Sequence, residues 1–531
     1  MDSPKFPLFL DQIEQKMKAK PTDSQDGVDL DHSQIEADLQ RFHNFHTHLS
    51  MRDRLYHFIR DKQSHITTGL TVDRLQGFEA FPRHQQLMDM ATHGLRTVLK
   101  PGFTPNQGVG DFRRETQLAR LRHTIAQHVR KLQDRGHCFV IPLVEIQGTE
   151  GFHLSALHVA IKAMDSKGRP CVDLTHSGLN EATDMDTLTA SLGEFQLPHL
   201  RRLAKMLAAA ERQGHRLMHK TDVTAAFNNM LLSPEAALLQ TFQVGDLVII
   251  PLVAGFGWCA APAYYNVIAD AIDWAHNGGV TDQQLDEWAV TIGVTPKVRN
   301  AEKEERSLTY VDDSCGASGA ITAPGDMADL QAIISTLLGP EAYNVKKTEG
   351  PAEVITIIGW ECNLQRYTIR PSRKGQEKLY YWIFRGLGPA HLGLHELRRA
   401  VGTLRWYSAV VPMASTFELQ RLLAATECEH AAKRSARQVF VKVTAPARRE
   451  IEWWRGLLTA NLSHDLLAAP IRYLNKTSLH RPRAELYAEG TLSLVTRSDS
   501  FDGTKPRRHS TAALVQQTLT VWSLSQRSAP S

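Results

Sequence analysis

From Phe139 to Arg370 short runs of β-formers alternate with amphipathic helical stretches, and beyond Pro371 only the helical pattern continues. That change predicts an α+β body followed by a helical region. The strand-like runs include "HCFVIPLVEI", "HRLMHKTD", "GDLVIIPLV", "SLTYV" and "RYTIRP", each bounded by Gly or polar turns. "HLSALHVAIKAM" and "RPCVDLT" read as a hairpin. Helices are predicted over Glu115 to Gly136, Pro198 to Arg212, "APAYYNVIADAIDWA", and "DMADLQAIISTLLG" with Asp326 as its cap and Gly339 as its stop. The stretch from Asn277 to Arg306 reads as a polar segment, and Pro21 to Gln40 as a loose, polar and acidic arm or linker.

With 531 residues, 42% of them hydrophobic, the chain is long enough for several domains with real cores. The net charge of +4 is compatible with a nucleic-acid partner without requiring one. The six cysteines form no CxxC pair, which argues against zinc knuckles and a disulfide framework and fits a reducing, intracellular setting, cytoplasm or nucleus. Neither a signal peptide nor a membrane span is predicted. His43, His46 and His48 read as a surface or packed group, since no second ligand cluster lies nearby in sequence.

Three acids have unusual settings. Asp222 ends a predicted strand, and Asp312 and Asp313 sit where "TYV" must turn. An Asp-Asp pair after a strand is by itself an ordinary solvated turn. Carboxylates clustered at strand ends also make the hard oxygen site that Mg²⁺ selects, one suited to phosphoryl transfer. The dipeptide alone leaves both readings open.

Its surroundings supply more. "YVDD" resembles the catalytic hairpin of reverse transcriptases, and "TDVTAAFNNMLL" resembles that family's first aspartate motif, with Phe227 five residues past Asp222. "FGWCAAPAYYN" is similar to the dNTP-binding segment, with Gly257 and Pro262 bracketing the turn into a helix. "IKAMDSKGRPCVDLT" looks like the fingers hairpin, placing Lys162 and Arg169 on the triphosphate. "NVKKTEG" resembles the motif with a lysine near the pyrophosphate, here Lys347, and "TIIGWEC" the primer grip, here Ile358, Gly359 and Trp360. Six motifs occur in family order. The chain departs from many relatives at Ala254 and Gly255, where they carry Leu-Pro, although no acid or phosphate-binding cation is lost.

The resemblance implies a right-hand polymerase fold of the α+β class, with fingers, an antiparallel-sheet palm and a helical thumb or connection. Residues 1–130 would be a partly disordered arm and helical leader, 131–370 fingers and palm, 371–465 thumb or connection, and 466–531 a truncated start of a ribonuclease H-like region or a disordered tail. It implies RNA-directed DNA synthesis with two Mg²⁺ ions, or Mn²⁺, held by Asp222, Asp312 and the Val223 carbonyl with Asp313 beside them. The partners would be an RNA template, a DNA or RNA primer and dNTPs, with no membrane. "LSLVTRSDSFDG" is similar to a ribonuclease H start with Asp499 as first acid, but the later acids are missing, so no nuclease activity is expected. The C-terminal helices look like those of DIRS-like or gypsy-like retrotransposon polymerases. The alternative is a catalytically inactive relic that binds nucleic acid.

For several residues a plainer role competes. Taken alone Lys162 and Arg169 read as ordinary surface cations, against which the family register favours the phosphate role, and Phe227 reads as core as well as a gate against the ribose 2′-hydroxyl. Trp406, Trp453 and Trp454 read as core, Trp360 as a platform for a base, and Lys433, Arg434 and Arg437 as either a solvated face or a track along phosphates.

Overall fold

The computed structural model describes residues 5–18, 29–105, 121–161, 168–193, 200–303, 305–408, 410–411, 422, 440–464 and 467–471. Helices and sheets are both abundant, giving an α+β architecture. The chain divides into two compact units. One comprises residues 19–199 and 215–352, the other residues 1–18, 200–214 and 353–531.

The first unit carries two four-stranded sheets. One joins β1 (Cys138–Pro142), β2 (Leu154–Ser155), β6 (Thr241–Val244) and β7 (Leu247–Pro251) in the order β1-β7-β6-β2. Beside it β3 (Leu157–Ile161) and β4 (Gly168–Val172) form the expected antiparallel hairpin. The other sheet joins β5 (Leu217–Asp222), β8 (Ser307–Tyr310), β9 (Asp313–Ser318) and β10 (Glu349–Ala352) in the order β10-β5-β9-β8, every pair antiparallel. The helices Ala261–Trp274 and Ala323–Leu338 pack against this sheet. Their apolar faces, with Tyr265, Ile268, Ile272, Ile333 and Leu337, belong to the largest core.

Several elements differ from the sequence expectation. "DSCGAS" reads as a turn-like run of small residues, yet it is β9, paired on both sides and almost wholly buried. Small size is the reason. Gly316 pairs with the buried His219, and a Cβ at Gly316 would come within 2.6 Å of the His219 ring. The Thr309 and Ser314 hydroxyls bond each other across β8 and β9 at 2.9 Å, so the polar strand pair satisfies itself internally.

The supposed arm contains a helix, His32–Asn44, whose cap Asp31 accepts from the Gln34 N–H. The polar segment Asn277 to Arg306 contains the helix Asp282–Thr291, opened by a capping box between Thr281 and Gln284. Asp326 lies inside the first turn of Ala323–Leu338 and caps nothing, because its carboxylate is taken by Arg306. Gly339 ends that helix at φ 95° as expected.

In the second unit β11 (Val354–Ile357), β12 (Trp360–Asn363), β13 (Thr368–Pro371) and β16 (Ala469–Pro470) form an antiparallel sheet in that order. β14 (His391–Gly393) pairs with β15 (Phe440–Lys442), and the helices Arg373–Tyr381, Leu394–Ser408 and Ala445–His464 supply the expected helical character.

Candidate functional site

Strand register gathers the acids. β5 and β9 pair so that Asp222 stands opposite Asp313, and β8 pairs with β9 so that Tyr310 also stands opposite Asp313. Val311 and Asp312 are therefore the whole turn of a two-residue hairpin. Val311 has φ 56°, a backbone region that β-branched residues rarely enter, and its side chain packs on the large core. The Asp312 carbonyl accepts from the Val223 N–H at 2.8 Å, which ties the hairpin tip to the end of β5. Asp222, Val223, Asp312 and Asp313 are thus brought together at one end of the sheet's two central strands.

Electrostatics there are crowded. Asp222 is 7% exposed. Burial raises the Asp312 carboxyl above its ordinary range, with the Asp222 charge adding to the rise. Asp313 is pushed up to about 6 by burial first and then by Asp312 and Asp222. Two cations oppose this. Lys347 Nζ donates to Asp222 Oδ1 at 2.8 Å, and Lys220, ion-paired with Glu349 at 3.0 Å, holds Asp313 lower than burial alone would leave it.

Arg169 is exposed on β4, and its charge reaches Asp312 and lowers its carboxyl. Lys162 lies outside the described residues. Phe227 is half-buried, its ring 5.3 Å from that of Phe256 and 5.9 Å from that of Tyr265. Gly257 has φ 117°, and a Cβ there would sit 2.0 Å from the Val172 carbonyl oxygen. Only glycine lets the loop lie this close to β4, where the Val172 N–H donates to the Phe256 carbonyl at 3.1 Å. A cavity of about 40 Å³ lies behind this loop, between Val172, Gln240 and Phe256.

Ile358, Gly359 and Trp360 belong to the second unit. Ile358 and Gly359, at φ 50° and 84°, form the tight turn between β11 and β12. The Trp360 ring is fully buried, 5.1 Å from Tyr407 and 6.1 Å from Trp406. It is core, so it offers no platform to a base. Lys433, Arg434, Arg437 and Asp499 lie outside the described residues.

No protein-family model matches the sequence. No curated protein matches it either. Among solved structures the chain is similar to foamy viral protease-reverse transcriptases. A complex with RNA/DNA hybrid matches with a TM-score of 0.42 at 12% identity over 83% of this chain and 48% of that one. A complex with double-stranded DNA matches at 0.42 and 13% over 81% and 72%, and a form titled dRH with double-stranded DNA at 0.40 and 13% over 83% and 62%. The chain thus spans under two thirds of two of these three neighbours. Scores this low do not decide a fold, so the functional reading rests on the site's own residues.

Sequence patterns gave no warning of three of these residues. Asn344 donates from its side chain to Asp222 Oδ2 at 3.0 Å and from its backbone to the Asp222 carbonyl at 3.1 Å. Asn180 clamps the Gly257 loop, donating to the Gly257 carbonyl at 2.7 Å and accepting from the Cys259 N–H at 2.9 Å. Tyr265 is fully buried, with no partner for its hydroxyl, and burial together with the Asp312 and Asp222 charges pushes its pKa well up.

The acids at the ends of β5 and β9 offer oxygen donors of the kind a divalent cation takes, although Asp222, Asp312 and Asp313 do not bring their three ligand atoms within 4.8 Å of one another. The donor set is hard oxygen, the carboxylates repel one another, and a lysine already supplies positive charge at Asp222. A different group, His276, Asp326 and Asp329, is the one among the described residues whose ligand atoms all lie within 4.8 Å of each other, close enough to hold an ion. Its carboxylates are already compensated by guanidiniums. Arg306 reaches Asp326 at 2.8 Å and Asp329 at 3.5 Å, and Arg299 reaches Asp329 at 2.8 Å.

Proposed function

We propose that the chain is an RNA-directed DNA polymerase of retroelement origin, resembling the DIRS-like and gypsy-like groups, that adds dNTPs to a primer 3′-hydroxyl on an RNA template. The observation that carries this reading is the register of β5 and β9, which sets Asp222 against Asp313 beside a two-residue turn bearing Asp312. Asp222, Asp312 and the Val223 carbonyl would hold Mg²⁺, with Asp313 adjoining. When bound, Mg²⁺ makes the primer 3′-hydroxyl a better nucleophile and neutralises charge on the triphosphate.

The chain's own residues supply the rest. Arg169 meets the triphosphate from β4, and the sequence motif pairs it with Lys162. The Gly257 turn lets the backbone approach the nucleotide, and Phe227, braced by Phe256 and Tyr265, blocks a 2′-hydroxyl. The β11–β12 turn at Ile358 and Gly359 serves as primer grip, with Trp360 fixing it from the core.

Primer extension on an RNA template with dNTPs and Mg²⁺ tests the reading. Wild-type chain should extend, and Asp312→Asn should lose extension by at least about a thousandfold, the scale expected on removing a group that stabilises transition-state charge. No extension on any template by the wild type would leave an inactive nucleic-acid-binding relic. Equal extension by both proteins would remove the metal site.

A further inference from the structure

Both oxygens of the Asp222 carboxylate are engaged, and both donors come from one short stretch. Asn344 immediately precedes the 3-10 turn Val345–Lys347, and Lys347 ends it. Thr348 then bonds the Thr221 hydroxyl at 2.8 Å, anchoring the stretch to β5. The two donors are held differently. Asn344 grips Asp222 twice, through its side chain at 3.0 Å and its backbone N–H at 3.1 Å. Lys347 reaches Oδ1 from a side chain that is 61% exposed.

We propose that Asn344 and Lys347 form an exchangeable bracket on Asp222. Asn344 is a positioning residue that keeps one oxygen aimed, and Lys347 is a resident counter-ion that leaves the other oxygen when a divalent cation takes it. This rests on the polymerase reading of the acids. A cation cannot coordinate an oxygen through the ammonium group that sits 2.8 Å from it, because like charges repel and the approach is blocked. Until the cation arrives, the lysine offsets the repulsion that burial imposes on three neighbouring carboxylates. Its flexible, exposed stem makes departure cheap, and the freed ammonium is then available to the negative charge of the incoming triphosphate.

The test is binding of Mn²⁺ alone to the full chain, measured by electron paramagnetic resonance and calorimetry, in wild type, Lys347→Met, Asn344→Ala and Asp222→Asn. Thermal melts confirm folding of each. Lys347→Met should bind Mn²⁺ about three- to tenfold more tightly at low ionic strength, the range of a partly exposed ion pair, while its extension rate falls. Asn344→Ala should bind Mn²⁺ more weakly and need more Mg²⁺ for half-maximal extension, with the saturated rate nearly kept. Loss of binding in Asp222→Asn together with equal affinity in wild type and Lys347→Met overturns the bracket alone. Undiminished binding in Asp222→Asn overturns the metal site, and the bracket with it.

Discussion

Asp222 and Asp313 are register partners on adjacent antiparallel strands, so two carboxylates that water would rather solvate are fixed opposite one another. Like charges directly opposite in a ladder destabilise it. The arrangement is therefore costly without a cation, as sites shaped for chemistry often are.

Asp313→Asn should make the protein more stable at neutral pH. The folded carboxyl titrates near 6, above its ordinary value, so its charged form is disfavoured in the fold and the cost is complete above pH 6. As pH falls from 6 to about 4 the folded chain takes up a proton that the unfolded chain does not, and the cost disappears. Metal-free urea unfolding should show the variant about 1–3 kcal/mol more stable at pH 7.5, with the difference closing below pH 4. A variant less stable at pH 7.5 would show that the charge is compensated.

Gly257→Ala should damage the nucleotide side without touching the acids. The added Cβ would lie 2.0 Å from the Val172 carbonyl, and backbone rather than a flexible side chain must yield. A stability loss of about 2 kcal/mol or more is expected, as for other strained or overpacked positions. The KM for dNTPs should rise more than kcat falls, because β4 carries Arg169 and would be displaced. Unchanged KM with full folding would show that the loop and β4 are not coupled.

Legibility in the sequence followed the chemistry of the local signals. The strand runs rich in Val, Ile and Leu, such as β7, declared themselves by composition. β9 did not, since small polar residues are poor strand formers and only its place between β5 and β8 explains them. The helix Asp282–Thr291 buries only Leu285 and Ala289, too sparse for a visible stripe, yet its Thr281 to Gln284 capping box stands in the sequence. Asn344 and Tyr265 were invisible as site residues because Asn344 bonds, and Tyr265 feels the charge of, acids distant in the chain that only the tertiary fold brings near. Trp360 misled in the other direction: an aromatic beside a turn says nothing of the side to which its ring points.

Arg306→Met should be strongly destabilising. The guanidinium is 1% exposed and pairs with Asp326 and, at longer range, Asp329, so truncation leaves the buried Asp326 carboxylate without its cation while Asp329 keeps Arg299. Loss of one partner of a buried pair costs about 3–5 kcal/mol. Arg306 also donates to the His276 carbonyl at 2.5 Å and immediately precedes β8, so the β8–β9 hairpin should lose definition with it. Because guanidiniums do this work, a chelator should leave unchanged the melting temperature of Asp222→Asn, the variant in which the acids at the ends of β5 and β9 no longer hold an ion. A drop on chelation would show that His276, Asp326 and Asp329 hold an ion after all.

Phe227→Ala tests discrimination by sugar. The ring is wedged between Phe256 and the buried Tyr265, an edge-to-face arrangement on both sides that leaves it little freedom to yield. A gate works by rigidity, since a ring that swings aside rejects nothing. Removing it should allow ribonucleotides in, with the ratio of kcat/KM for dNTP over rNTP falling by about ten- to a hundredfold, the scale of a lost steric contact. The half-buried ring should cost about 1–3 kcal/mol of stability, less than full burial would. Phe256→Ala should give a smaller loss of discrimination, because it removes one brace and leaves the gate. Single-nucleotide extension with matched dNTP and rNTP checks both, and an unchanged ratio in Phe227→Ala would assign the ring to the core alone.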